Sequence, residues 1–353
     1  MAGTALVVGT SGIVGSATAA LLVREGWTVL GLARRPAAPE GVIPIAADLN
    51  DAAGLASSLA KAKPDAVFIA TWSRQANEAE NVRVNGAMVR NLLDALRPAA
   101  SVGHVALVTG LKHYLGPFEA YGKGVLPQTP FREEQARLNV PNFYYAQEDE
   151  VFAASARDGF GWSVHRPHTI IGQAVGNAMN MGTTLAVYAT LCRQTARPFR
   201  FPGSAVQWDC LTDMTDARLL ARHLLWATTT PAARNQAFNV VNGDFFRWKW
   251  MWGRIADWFD IKPAPFDGTV LTLETQMAGD APIWRDIASR DGLAEHDLNQ
   301  LASPWHTDAD LGRPIEVVTD MGKSRRLGFT LYQPTDDAFF DLFARLRADR
   351  LIP

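Results

Sequence analysis

The chain has 353 residues, long enough for one large domain or two associated lobes with a full hydrophobic core. Hydrophobic residues make up 48% and charged residues 20%, an ordinary globular balance, and 34 basic against 36 acidic side chains leave a formal charge of −2 that excludes the footprint of a nucleic-acid binder. Two cysteines, Cys192 and Cys210, exclude a disulfide framework and fit a reducing compartment.

The apolar run Ala5–Val8 predicts a buried first strand. It breaks at Gly9, too soon for the core of a signal peptide, and no uncharged apolar stretch reaches membrane-spanning length, so a soluble cytoplasmic protein is expected. A glycine turn, Gly9 to Gly15, leads into a helix that runs to about Glu25. Thr28–Leu32, Val42–Ala46 and Ala66–Ala70 predict the next three strands, followed by a long helix from about Glu78 to Leu96. Val105–Thr109 and Trp162–His165 predict a fifth and a sixth. Continuous apolar strands separated by helices indicate a parallel sheet covered on both faces, and right-handed crossovers make it doubly wound. Between 111 and 142 the chain is punctuated by Gly116-Pro117, Gly122, Gly124, Pro127 and Pro130, which predicts a long loop near the site.

Beyond Gly172 helical patterns dominate, at about 180–193, 214–227, 247–259, 282–290 and 335–349. One strand signal, Ala237–Val241, is expected to return to the sheet. The fold class is therefore α/β: a Rossmann-type doubly wound sheet over 1–172 and a smaller, mostly helical substrate lobe over 173–353, interleaved with it. Eight of the eleven tryptophans lie beyond residue 200 and need burial or a ligand. Trp248, Trp250 and Trp252 cannot all share one helical face, which predicts packing plus some exposure.

The turn Gly9-Thr10-Ser11-Gly12-Ile13-Val14-Gly15 sits between a strand and a helix. That is the context in which glycines let a pyrophosphate approach unpaired backbone N–H groups. The second strand ends Ala33-Arg34-Arg35, with no acid until Glu40. Arginine there suits the 2′-phosphate of NADPH, where an NAD site usually places a carboxylate for the ribose. Asp48, followed by Leu49 at the end of the third strand, can accept from the adenine amino group. Thr71-Trp72 follows the fourth strand, at the cofactor or substrate edge of the sheet.

A short-chain reductase usually carries Tyr-x-x-x-Lys on one helix, where that spacing stacks the pair one turn apart. None of the six tyrosines here has such a lysine; the residue four places after Tyr144 is Glu148. Lys112 stands instead just after Thr109-Gly110, at the carboxyl end of the fifth strand, where ligands of such sheets lie. Tyr144 and Tyr145 open the helix before the sixth strand.

Three groups of residues carry a family resemblance: Thr109 to Glu119 (TGLKHYLGPFE), Asn142 to Asp149 (NFYYAQED), and the later segments Ser163 to Pro167, Ala237 to Val240 and Asn242 to Asp244. On these the chain resembles the progesterone 5β-reductase and iridoid synthase-like (PRISE) group of short-chain reductases over nearly its whole length. The resemblance implies NADPH-dependent reduction of the C=C bond of α,β-unsaturated carbonyl compounds, enones or enals, with Lys112 and Tyr144 as a displaced catalytic pair. Thr109, Gly110, Pro167, Thr169 and Ile170 are then expected beside the nicotinamide, and Trp72, Tyr145, His168 and Trp305 around the substrate. His168-Thr169-Ile170 departs from the Gly-Asn-Ile common in plant members, and Leu111 replaces a residue commonly basic there. Three alternatives remain: a carbonyl reductase or alcohol dehydrogenase using the same residues, a non-catalytic NADP(H)-binding sensor, and a nucleotide-sugar epimerase, disfavoured by the missing Tyr-x-x-x-Lys. No His, Cys or carboxylate spacing predicts a metal site. No nucleic-acid or membrane partner is expected, and a homodimer is an open assembly.

Overall fold

A computed structural model describes residues 2–36, 39–117, 120 and 127–353. Seven parallel strands form its main sheet: β1 (Thr4–Val8), β2 (Thr28–Ala33), β3 (Val42–Ala46), β4 (Ala66–Ile69), β5 (His104–Val108), β6 (Gly161–Pro167) and, after a pair described below, β9 (Gln236–Val240). Their order is β3-β2-β1-β4-β5-β6-β9. The direction of winding reverses between β1 and β4, and the carboxyl ends of those strands open the crevice in which such sheets bind ligands.

Alternation along each strand explains the two covered faces. Ala5 and Val7 point to one side and pack with α1 (Ile13–Arg24) through Val14, Ala19 and Leu22. Leu6 and Val8 point to the other side, against α2 (Ala52–Leu59) through Leu55 and Leu59, α3 (Glu78–Leu96) through Val89, Leu92 and Leu93, and, after the turn of α4 (Lys112–Leu115), α5 (Phe143–Asp158) through Val151 and Ala154. Burying each such aliphatic side chain contributes roughly 1.5–3 kcal/mol, so the helices are held firmly against the sheet. Helix ends are set locally. Asn77 caps α3 by accepting from Glu80 N, and Gly159, at φ +81°, closes α5 in the left-handed conformation.

The second lobe follows α6 (Met181–Thr195), α7 (Ala205–Asp209), α8 (Ala217–Thr229) and α9 (Trp248–Trp258) with further short helices and a last one at Thr335–Ala348. Its core is aromatic: Trp252 stacks on Phe199 with centroids 4.1 Å apart, and Trp248 and Trp284 are buried beside it. Trp248 and Trp252, one turn apart, do share a face, while Trp250 between them is 49% exposed. The boundary at 172 is crossed twice. β9 returns to the sheet beside β6, as the sequence predicts, and α8 covers the same face as α1 through Leu219, Leu220 and Leu224. The expected helix start at 214 is taken by a strand instead. Thr215–Asp216 (β8) pairs in parallel with Ile170–Ile171 (β7), a small sheet that ties the chain after β6 to the second lobe. Of the predicted 111–142 loop, Lys112–Leu115 is helical, while Phe118, Glu119 and 121–126, with Gly122 and Gly124, lie outside the described residues.

Candidate active site

The glycine turn is built by backbone need. Gly9 has φ +93°, and a Cβ there would meet the Ala70 carbonyl at 2.8 Å; a Cβ on Gly15 would meet Gly9 O at 2.1 Å. Ile13, Val14 and Gly15 are buried as α1 begins, Gly12 N donates to Gly9 O at 2.9 Å, and the buried Thr10 hydroxyl has no hydrogen-bond partner among the described residues. One cavity starts at this turn. Gly9, Ser11, Ala33, Arg34, Asp48, Leu49 and Thr71 line it, joined by Asn50, Ser73 and Met88, which sequence reasoning missed. Arg34 and Arg35 are both exposed, and Asp48 Oδ1 accepts from Asn50 N at 2.9 Å and from its amide at 3.2 Å. A polar-walled cavity with close glycine backbone and a cation at the end of β2 has the lining that suits a dinucleotide.

Trp72 lines this cavity and a second one. The second holds Thr109, Gly110, Lys112, Tyr144, Pro167, His168, Thr169 and Ile170, expected site residues from three separate stretches of sequence, together with Leu111. Their meeting has a local cause. Asn142 caps α5 through Oδ1, which accepts from Tyr144 N at 3.0 Å, while its Nδ2 donates to Lys112 O at 2.7 Å. Phe143 N donates to Glu78 at 2.8 Å, so the start of α5 is also held by α3. A Cβ built on Gly110 would lie 3.3 Å from the Tyr144 hydroxyl, which places the phenol against the carboxyl end of β5. The Lys112 ammonium lies 5.1 Å from the Phe143 ring centre and 5.6 Å from that of Trp72, two rings stacked on each other. Burial, with Glu78 adding to it, pushes the Tyr144 phenol well above its ordinary range, so at neutral pH it is a neutral O–H donor.

Glu148 occupies the position where Tyr-x-x-x-Lys would put its lysine. It is buried, accepts from Arg137 Nη2 at 2.8 Å, and faces Arg166 and His113 at 3.6 and 3.9 Å. Two expected substrate contacts fall elsewhere. Tyr145 does not line the cavity: its hydroxyl donates to His113 O at 2.6 Å and accepts from Leu138 N at 3.0 Å, because adjacent residues on a helix point about 100° apart. Trp305 lines a separate groove with Leu298, Asn299, Gln300 and Ala302 to Pro304, under the Arg74 guanidinium, 4.0 Å from its ring centre. Its neighbour His306 lines the Tyr144 cavity, as do Met179, Asp310 and Arg313, none of which carried a local motif in the sequence. Burial lowers the pKa of His306. Burial alone would raise that of Asp310, but Arg313, His306, His168 and the Thr169 hydroxyl together hold it low. Among the described residues no group of three or more His, Cys, Asp or Glu could hold a metal ion, and no helix is long and apolar enough to cross a membrane.

A Rossmann sheet with a glycine turn at β1 and a tyrosine and a lysine converging beyond β5 defines the class as a short-chain dehydrogenase/reductase fold. The comparisons narrow this. Residues 60–353 match the PRISE-like Rossmann-fold domain. The chain is 38% identical to a (S)-8-oxocitronellyl enol synthase of Camptotheca acuminata and 36% identical to a 3-oxo-Delta(4,5)-steroid 5-beta-reductase of Arabidopsis thaliana, each match spanning 99% of this chain and 93% of the relative. It belongs to the PRISE-like family. Among solved structures, a short-chain dehydrogenase/reductase superfamily protein of Agrobacterium tumefaciens with bound NAD shares the fold, with a TM-score of 0.67 at 17% identity over 99% of this chain and 98% of that one.

Proposed function

We propose that this protein is an NADPH-dependent ene-reductase that saturates the C=C bond of α,β-unsaturated carbonyl compounds. The reaction class is that of its full-length relatives, an (S)-8-oxocitronellyl enol synthase and a steroid 5-beta-reductase. One observation carries the assignment to residues: Tyr144 and Lys112, 32 positions apart, line one cavity that meets the glycine-turn trough at Trp72.

The trough suits a nicotinamide dinucleotide: Gly9, Ser11 and the start of α1 would hold the pyrophosphate, Asp48 and Leu49 the adenine, and Arg34, with the exposed Arg35 beside it, the 2′-phosphate that would make NADPH the preferred form. When bound, that cofactor supplies a hydride to the β-carbon of the enone. Negative charge then builds on the carbonyl oxygen, and Tyr144 donates a hydrogen bond to it; one preorganised donor of this kind lowers a barrier by roughly 3 kcal/mol. Lys112 adds positive potential beside that oxygen and helps orient the phenol. Pro167, Thr169 and Ile170 support the nicotinamide side, and Trp72 with His168 walls the substrate. Solvent supplies the proton to the α-carbon, so the product is the saturated carbonyl. Two free cysteines suit a cytoplasmic setting, and light scattering tests for a homodimer.

The deciding experiment mixes the protein with NADPH and a simple cyclic enone and identifies the product. A saturated ketone supports the proposal. An allylic alcohol moves the reaction to C=O reduction, and tight NADPH binding without turnover of any enone or carbonyl moves the protein to a sensor.

A further inference from the structure

The cavity that holds Tyr144 and Lys112 also holds polar side chains that take no part in hydride transfer. His168 Nδ1 bonds Asp213 Oδ1 at 2.8 Å, and Arg313 Nη1 donates to His168 Nε2 at 2.9 Å. Arg313 Nε donates to the Asp310 carbonyl at 2.9 Å, and Thr169 Oγ1 donates to Asp310 Oδ2 at 2.5 Å. A guanidinium only donates, so His168 Nε2 must accept and the ring proton lies on Nδ1, facing Asp213. Asp213 is itself held by Thr319 N at 2.7 Å. These bonds fix Arg313 from two sides.

That leaves one edge of the guanidinium uncommitted. Arg313 is 5% exposed and lines the cavity, yet its Nη2 has no hydrogen-bond partner among the described residues. Nη2 is open to the cavity rather than sealed in the core, so it can donate to water or to an oxygen bound there. The acceptor need not be charged, because Asp310 at 3.9 Å, and Asp213 through His168, already balance the positive charge. Resting on the ene-reductase reading, we infer that Arg313 is a specificity residue: it donates to a second, uncharged oxygen of the substrate, a carbonyl or hydroxyl remote from the enone.

The test pairs a simple cyclic enone with the same enone bearing a remote keto or hydroxyl group, and with one bearing a remote carboxylate. In the wild-type protein the neutral oxygen raises kcat/KM about tenfold or more, chiefly through KM, as a hydrogen bond to a charged donor should. The carboxylate gains less. In Arg313→Gln the ratio between the oxygenated and the simple enone falls toward one, and Arg313→Lys restores part of it. The same ratio is read without turnover, from calorimetric affinities of the saturated products for the NADP+-loaded protein, which also reports whether each variant is folded. A wild-type ratio near one, a ratio unmoved in Arg313→Gln, or a larger gain from the carboxylate overturns the inference. Failure to reduce every enone, with the affinity ratio intact, overturns the ene-reductase reading and leaves the role of Arg313 standing.

Discussion

Tyr144 does its proposed work as a neutral donor, and its surroundings favour that state, since burial and Glu78 both oppose loss of its proton. Tyr144→Phe keeps the ring and removes the donor. Its kcat should fall on the order of a hundredfold, the equivalent of one oxyanion donor, while NADPH affinity measured by fluorescence titration changes little. A near wild-type rate would remove Tyr144 from the mechanism. Arg34 is exposed at the end of β2 and lines the trough, where the proposed 2′-phosphate would meet it. Arg34→Ala should weaken NADPH at least about tenfold more than NADH, the worth of one charge-assisted contact. Equal losses for both cofactors would undo the phosphate assignment. Glu148 shows what sequence spacing could and could not reveal. That no lysine follows Tyr144 by four was legible, but not that Arg137, Arg166 and His113 surround the carboxylate standing there.

Helix α5 and the α4 turn are joined through Asn142, which caps the one and holds a carbonyl of the other, and through the Tyr145 hydroxyl, which donates to His113 O. The two functions separate by mutation. Asn142→Asp keeps the cap acceptor and loses the donor to Lys112 O; Asn142→Ala loses both. The alanine variant should be about 1 kcal/mol less stable by chemical denaturation, the usual cost of an N-cap. Both variants should lose kcat, because Lys112 is released from its register with Tyr144. If the aspartate variant keeps full activity, the tether is not what aligns the pair. Around this joint α3, β5 and β6 were readable in sequence to within a residue or two, since apolar periodicity is a local property, whereas the α4 turn falls in the stretch read as a loop. The short β7–β8 pair was not, because two residues of strand have no periodicity to read.

Buried histidines tie the stability of the molecule to pH. Burial lowers His104 to about 4, His113 and His223 to about 3, and His165 well below its ordinary value. His104, Ser163, His165, His223 and Ser324 bond in a continuous line at 2.9 Å per step, linking β5 and β6 to α8 and the chain beyond β9. In the unfolded chain these imidazoles take up protons near pH 6.5, and in the folded one they do not. Above that pH they are neutral in both states. Below it the unfolded state binds more protons, so each histidine costs about 1.4 kcal/mol of stability per pH unit until its folded pKa is reached. The thermal midpoint should therefore drop steeply between pH 6.5 and pH 4.5, and His223→Gln should flatten that slope. A midpoint constant over this window would mean the histidines are charged or open to water in the native state.

The sequence by itself determined the Rossmann half of the protein. A glycine turn between a strand and a helix, with arginines closing the next strand, is written in contiguous residues because its physics is backbone geometry over a few positions. The Tyr144–Lys112 pair was named from motif resemblance, and only the folded chain shows a joint that can hold it. Folding alone brought Arg313 to His168 across 145 positions and turned Tyr145 away from the cavity that Tyr144 enters. Strand order and the packing of the second lobe on the sheet decide which distant side chains meet, and no periodicity along the chain encodes that.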